Sequence, residues 1–378
     1  MRIGIVAGEP SGDRLGAGLI AALRCRDDDL EVEGIGGARM QEAGCKLLYP
    51  MDRLAVMGVF EVLGRYRELA AARSRLAEHF LSSPPDLFVG IDAPEFNLAL
   101  EERLRAAGVR TAHYVSPQVW AWRPWRVRRI GRAVDLMLVL FPFEENFYRA
   151  HGIPVKFVGH PLADEMIADA NDKEAARAAL GLSSDRPVVG LLPGSRSNEW
   201  RYHVEPFLRS ALELCAARPD LQCAFAASGR EGRLYIEGIL HRLDPELPIK
   251  VFEQRTREVI AAADVVLTVS GTASLETLLV GRPMVVSYRM SALSYLIARL
   301  LVRVPYFSLP NLLAGRRLVP EILQSEVEPR RLAREVSRWL DDPVAVEDLK
   351  QAFSAIRLVL RRQASHTAAA ALLDLAGK

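Results

Sequence analysis

Asp92 is the first residue in this chain whose position suggests chemistry. It follows the apolar run Asp86–Ile91 and opens Asp92-Ala93-Pro94-Glu95-Phe96-Asn97. A carboxylate projecting from a strand end into a crevice can act as a general base, provided one oxygen stays free and aimed at the substrate. The same spacing fits a helix capping box, with Glu95 three residues after Asp92 and a proline in the first turn. Spacing alone leaves both readings open. Two further turns suit an anion. Pro187–Leu192 runs into Pro193-Gly194-Ser195-Arg196, and Asp264–Val269 runs into Ser270-Gly271-Thr272-Ala273-Ser274-Leu275-Glu276. Each reads as strand, glycine turn and helix start, which exposes backbone N–H groups at the positive end of a helix. With Arg196 beside the first turn, the pair suits a diphosphate; the alternative is that Ser and Thr simply cap their helices.

A fourth turn, Gly8-Glu9-Pro10-Ser11-Gly12-Asp13-Arg14-Leu15-Gly16, spaces its glycines four apart. That is not the dinucleotide fingerprint, which disfavours an oxidoreductase. Glu9 and Asp13 would repel a pyrophosphate, so this turn suits sugar hydroxyls better. Asp27-Asp28-Asp29, the one run of the Asp-x-Asp type, follows a helix end rather than an apolar strand and reads as a solvated loop. No metal is therefore expected. Leaving-group charge would fall to Arg196, backbone donors and the helix dipole.

Three of the five tryptophans fall in Trp120-Ala121-Trp122-Arg123-Pro124-Trp125, and Arg126, Arg128, Arg129 and Arg132 follow before the next acid, Asp135. Indoles favour a site that is apolar on one side and wet on the other, and guanidinium forks bind phosphate. The tract suits a partner both greasy and anionic, such as a phosphorylated lipid, or else a buried tryptophan cluster beside a solvated basic helix. Leu54–Gly64 and Ser291–Val304 are apolar beyond what one buried face needs, and each has arginines beside it. Each can lie in a bilayer interface or form an ordinary core helix.

These groups need a scaffold. A chain of 378 residues is too long for one core and predicts two domains. Apolar strand patterns alternate with helical ones through Arg2–Ala7, Glu31–Gly34, Asp86–Ile91, Arg110–Val115, Val134–Leu140 and Val155–Val158. They restart at Pro187–Leu192, Gln222–Ala226, Ile249–Phe252, Asp264–Val269 and Pro283–Tyr288. Such alternation indicates an α/β protein with parallel sheets covered on both faces. Two doubly wound Rossmann-like halves are expected, 1–165 and 166–345, facing across a crevice at their carboxyl edges. A helical segment, 346–378, is expected to return toward the N-terminal domain. Net charge is only +2, and no nucleic-acid-binding motif appears, so no nucleic-acid partner is expected. The scattered Cys25, Cys45, Cys215 and Cys223 fit a reducing cytoplasm. Met1-Arg2-Ile3 enters a strand directly, so no signal peptide is expected, and no apolar run reaches the ~18 residues of a spanning helix.

Together these segments resemble the lipid-A-disaccharide synthase family of inverting glycosyltransferases. The resemblance runs through Val6–Gly16, Ala55–Gly64, Val89–Asn97, His113–Arg123, Phe157–Pro161, Leu191–Arg196, Ser270–Glu276 and Ser308–Gly315. Tyr114-Val115-Ser116-Pro117-Gln118-Val119-Trp120-Ala121-Trp122-Arg123 is its most specific part. The resemblance implies a GT-B fold, no metal or other cofactor, a UDP-2,3-diacylglucosamine donor and a 2,3-diacylglucosamine 1-phosphate acceptor. The product would be a β-1,6 disaccharide 1-phosphate, made by a peripheral protein on the cytoplasmic face of the inner membrane, with a homodimer left open. It implies Asp92 as catalytic base and Glu9 as a residue orienting the sugar or the base. Gly194, Ser195, Arg196, Ser270, Gly271, Thr272, Ala273, Glu276 (on the ribose) and Asn311 would bind the donor. Ser11, Met57, Phe60, Val62, Leu63, Trp120, Trp122 and Arg123 would face the acceptor or lipid. The rivals are another GT-B enzyme acting on UDP-N-acetylglucosamine (the peptidoglycan glycosyltransferase or the 2-epimerase) and a non-catalytic binder of nucleotide sugars or anionic lipids.

Overall fold

The computed structural model describes residues 1–51, 59–122, 124–166, 173–243, 249–302 and 304–377, with side chains omitted for 59–66. The chain forms two units, Met1–Asp164 with Leu360–Lys378, and Glu165–Val359. The segment 346–378, read from the sequence as one piece, is shared between them: 346–359 stays with the second unit and 360–378 joins the first.

The first unit carries a seven-stranded sheet in the order β3-β2-β1-β4-β5-β6-β7. Its strands are β1 (Arg2–Ala7), β2 (Glu31–Gly36), β3 (Cys45–Pro50), β4 (Leu87–Ile91), β5 (Arg110–Tyr114), β6 (Leu136–Val139) and β7 (Val155–Phe157). All neighbours pair in parallel. Helices cover both faces, which is why β4 reads as an unbroken apolar run and is buried along its whole length. The helix Ala364–Ala376 lies against Pro10–Arg24 and places Ala364, Ala368, Ala369 and Leu372 in the same core as Leu19, Ile20 and Leu23. Asp164 caps that last helix, accepting the N–H of Gln363 at 2.9 Å and of Ala364 at 2.6 Å.

The second unit carries a six-stranded parallel sheet in the order β10-β9-β8-β11-β12-β13. Here the strands are β8 (Val188–Leu192), β9 (Gln222–Ala227), β10 (Ile249–Glu253), β11 (Val265–Val269), β12 (Met284–Tyr288) and β13 (Glu321–Leu323). In each sheet the strand order reverses once, between β1 and β4 in the first and between β8 and β11 in the second. Ligands of open parallel sheets gather at the carboxyl ends of the strands flanking such a reversal, where the two outgoing turns diverge. The turns singled out in the sequence are those four: Gly8-Glu9 after β1, Asp92 after β4, Gly194-Ser195-Arg196 after β8 and Ser270-Gly271-Thr272 after β11.

Candidate active site

In the first unit, parallel register aligns Ala7 with Ile91 and Ile91 with Tyr114, so the turns after β1, β4 and β5 begin at one level. Asp92 leaves β4 with φ 51° and Ala93 follows with φ 43°, two successive left-handed residues without glycine's freedom. The Asp92 N–H donates to the Tyr114 carbonyl at 2.9 Å. Its Oδ1 accepts the Ala93 N–H at 2.9 Å. Oδ2 takes no hydrogen bond among the described residues, and the side chain is half-buried. The capping box open for Asp92 and Glu95 does not form. The left-handed pair moves the N-cap of Pro94–Ala106 to Ala93, and Glu95 instead accepts from Arg126 at 2.6 Å.

Glu9 occupies the N-cap position of Pro10–Arg24 in extended backbone, with no side-chain cap bond, and is exposed together with Ser11. A Cβ at Gly8 would lie 2.6 Å from the Ala93 Cβ, so the β1 and β4 turns touch and only glycine fits there. Asp13 is not part of this surface, contrary to its reading as a carboxylate repelling phosphate. It is buried and accepts the N–H groups of Gly37 (2.8 Å), Arg39 (3.2 Å) and Met40 (3.0 Å), capping Ala38–Glu42.

The tryptophan tract divides. Trp120, expected to face lipid, is half-buried and donates its indole N–H to Glu144 Oε1 at 3.2 Å, with its ring edge-on to Phe143 at 4.7 Å. Burial pushes the Glu144 carboxyl up to about 8, against the opposing pull of the Phe141 N–H and Trp120. Trp122 is half-buried, and Trp125 alone is turned outward, 61% exposed. Three of the arginines face acids on Pro94–Ala106: Arg126 on Glu95, and Arg129 and Arg132 on Glu102 at 3.9 and 3.4 Å. Arg123 and Met57 lie outside the described residues, as do the side chains of Phe60, Val62 and Leu63.

At the end of β7, the His160 ring lies 5.5 Å from that of Phe141, and its Nδ1 accepts the Leu162 N–H at 3.2 Å, which requires a neutral ring nitrogen. Burial, then the nearby Arg14 charge, pushes its pKa down to about 4. The unfolded chain therefore binds more protons than the native one from roughly 6.5 down to about 4, and stability falls as pH drops through that window. His160→Gln is expected to flatten the slope of the melting temperature against pH there; an unchanged slope would assign the acid sensitivity elsewhere.

In the second unit, the turn after β8 differs from its sequence reading. The Ser195 and Arg196 N–H groups, expected to be open to an anion, donate to Glu199 Oε2 at 2.8 and 3.1 Å. This is a capping box for Ser197–Ala217. Gly194 has φ 101°, and a Cβ there would lie 2.2 Å from the Glu199 carboxylate. The Arg196 guanidinium, 72% exposed and 4.0 Å from Glu199, stays open to an anion.

The turn after β11 keeps its donors. The Thr272 and Ala273 N–H groups start the helix Thr272–Val280 and make no hydrogen bond among the described residues; Gly271 and Thr272 are exposed. Ser270 Oγ donates to the Phe307 carbonyl at 2.6 Å, and Ser274 Oγ to the Gly271 carbonyl at 2.7 Å. Glu276 is half-buried, 3.9 Å from the Arg257 guanidinium.

Asn311, expected on a loop contacting the donor, lies in the helix Leu309–Ala314 with its side chain fully buried and committed. Its Nδ2 donates to the Val319 carbonyl and to Glu321 Oε1 (3.0 and 2.9 Å), and its Oδ1 accepts the Leu318 and Val319 N–H groups (2.7 and 3.0 Å). Glu321 also accepts from the Ser308 N–H (2.9 Å), Ser308 Oγ (2.7 Å) and Phe307 N–H (3.1 Å). Asn311 thus reaches the β11 turn through Glu321, the 307–308 backbone and Ser270. The sequence reading missed Glu321, which is ten residues away, and also Glu199, which its spacing from Arg196 could have revealed.

The apolar stretch Ser291–Val304 forms the helix Ala292–Leu301, capped by Ser291 Oγ accepting the Ser294 N–H. None of its residues is buried; Leu293 is 70% exposed and Leu300 76%, and Leu296 and Ile297 are exposed as well. Among the described residues, no helix is long and apolar enough to cross a membrane, and no three His, Cys, Asp or Glu side chains are placed to hold a metal ion.

A family model for lipid-A-disaccharide synthetase matches residues 3–373. A lipid-A-disaccharide synthase of Azotobacter vinelandii is 50% identical over 377 residues, covering 100% of this chain and 98% of the relative. One of Pseudomonas aeruginosa strain UCBPP-PA14 is 50% identical over 375 residues, covering 99% and 98%. Among solved structures, a UGT transferase from Siraitia grosvenorii in complex with UDP superposes with a TM-score of 0.64 at 14% identity, covering all of both chains. A UDP-GlcNAc 2-epimerase from Neisseria meningitidis bound to UDP-GlcNAc gives 0.63 at 14%, covering 95% of this chain and 99% of that one. At such identity these structures share the fold alone, the two Rossmann-like units of GT-B proteins.

Proposed function

We propose, for a chain that belongs to the lipid-A-disaccharide synthase family, a division of labour between its two units in forming the lipid A disaccharide. It is a glycosyltransferase. In our reading the first unit holds 2,3-diacylglucosamine 1-phosphate, the second holds UDP-2,3-diacylglucosamine, and the acceptor's hydroxyl oxygen reacts with the donor's anomeric carbon. Asp92 Oδ2 takes the proton of the acceptor's primary hydroxyl while that oxygen attacks the donor's anomeric carbon. The bond from that carbon to the diphosphate breaks, and UDP leaves with the electron pair. A single displacement inverts the centre and gives the β-1,6 linkage. The observation that carries this reading is the Asp92 carboxylate, set at the strand-order reversal with one oxygen uncommitted among the described residues.

Glu9, exposed on the turn that touches Ala93, orients the acceptor sugar or the base, with Ser11 beside it. Donor charge falls to the Thr272 and Ala273 N–H groups at a helix N-terminus and to the Arg196 guanidinium. Glu276 takes the ribose hydroxyls. Both substrates carry acyl chains, and the exposed leucines of Ala292–Leu301 suit a peripheral station on the cytoplasmic face of the inner membrane.

UDP release measured with donor alone and with both sugars tests the reading; release that does not depend on the acceptor would overturn it. Arg196→Ala is expected to raise the donor KM roughly 10- to 100-fold, the worth of charge-assisted bonds, with an unchanged melting temperature. A destabilised protein with normal donor affinity would make the arginine structural instead.

A further inference from the structure

We infer that Asn97 is a positioning residue for the transfer, fixing the backbone from which Asp92 presents its carboxylate. This rests on the reading of Asp92 as the proton acceptor. Asn97 lies in the first turn of Pro94–Ala106 and is fully buried. Its Nδ2 reaches three main-chain carbonyls: Asp92 at 2.8 Å, Val6 at 3.2 Å and Ile91 at 3.3 Å. Those carbonyls belong to the ends of β1 and β4, the two strands that flank the reversal. One amide therefore ties both strand ends to the residue that begins the left-handed pair, whose φ values of 51° and 43° need outside support.

The strand beneath is cut away to admit this side chain. A Cβ at Gly90 would lie 2.9 Å from the Asn97 Cβ and 2.1 Å from Glu101 Oε1. Core stability alone does not account for an asparagine here, because its Oδ1 is buried with no donor among the described residues, a cost that an apolar side chain of the same volume would avoid. Holding the Asp92 carbonyl does account for it. Released, the Asp92–Ala93 backbone can relax, and the carboxylate turns away from the line of proton transfer.

The test is a double-mutant cycle on the full chain, with both acylated sugars as substrates and UDP as the binding probe. Asn97→Ala is expected to lower kcat roughly tenfold to a hundredfold, the cost of a displaced catalytic group, with donor KM and UDP affinity unchanged. In an Asp92→Asn background the same change is expected to cost less than about twofold, because its effect runs through the lost carboxylate. Equal losses in both backgrounds, or full turnover in Asn97→Ala, overturn the positioning role. If Asn97→Ala does not fold, Asn97→Ser, which keeps a donor of shorter reach, is measured in the same cycle. An Asp92→Asn enzyme with full turnover sinks the reading of Asp92 itself, whereas a crippled Asp92→Asn beside a fully active Asn97→Ala sinks only this inference.

Discussion

Asp92→Asn is expected to keep UDP affinity unchanged while turnover falls roughly 10²–10⁴-fold, the usual worth of a general base. Asparagine preserves the shape of the side chain, and its Oδ1 can still accept the Ala93 N–H now held at 2.9 Å. The turn should therefore survive. What disappears is the basicity of the second oxygen, which takes no hydrogen bond among the described residues. Steady-state kinetics with both acylated sugars, together with calorimetric UDP binding, separates the two effects. Unchanged turnover would reduce the carboxylate to a local brace for its own backbone. Lost UDP affinity would point to a disturbed fold.

Replacing Leu293, Leu296, Ile297 and Leu300 with serine is expected to release the protein from vesicles of anionic phospholipid. These side chains are between 50% and 76% exposed in a helix with no buried residue, so removing them should cost the fold little. In a bilayer interface each would contribute about 1 kcal/mol, less than the value for full burial. The four together amount to about 4 kcal/mol, near a thousandfold in partitioning. Arg299, in the last turn, would meet the headgroups if the helix lay in such an interface. Sedimentation with vesicles measures the partitioning, and turnover on detergent-dispersed substrates checks that the enzyme remains intact. Undiminished sedimentation would rule this helix out as a membrane contact.

The interior strands were legible because burial on both faces demands unbroken apolar runs, and β1, β4, β8 and β11 follow that rule. β3 and β13 escaped notice. Cys45–Pro50 is an edge strand in which only Cys45 is fully buried, and Glu321–Leu323 is a three-residue strand at the opposite kind of edge, so neither needs a strong apolar signature. Glycine turns at strand ends marked three of the four loops, and the Asp92 carboxylate marked the fourth, which holds no glycine. The fate of their donors was not readable, since it depends on backbone angles and on distant side chains. The capping-box rule illustrates this. It fits residues 92 and 95, where two left-handed residues shift the cap and defeat it. It operates at 196 and 199, where Glu199 takes the N–H groups reserved for phosphate. Asn311 was singled out by resemblance as a donor contact, yet its role became visible only through Glu321, which the fold brings against it.

The decisive measurement incubates the full chain with UDP-2,3-diacylglucosamine and 2,3-diacylglucosamine 1-phosphate, then determines the mass of the lipid product and the proton coupling at its new anomeric carbon. Asp92 acting as the base of a single displacement requires a disaccharide 1-phosphate joined by a β bond, with UDP released in equal amount. An α bond, or UDP set free without a disaccharide, would contradict that chemistry.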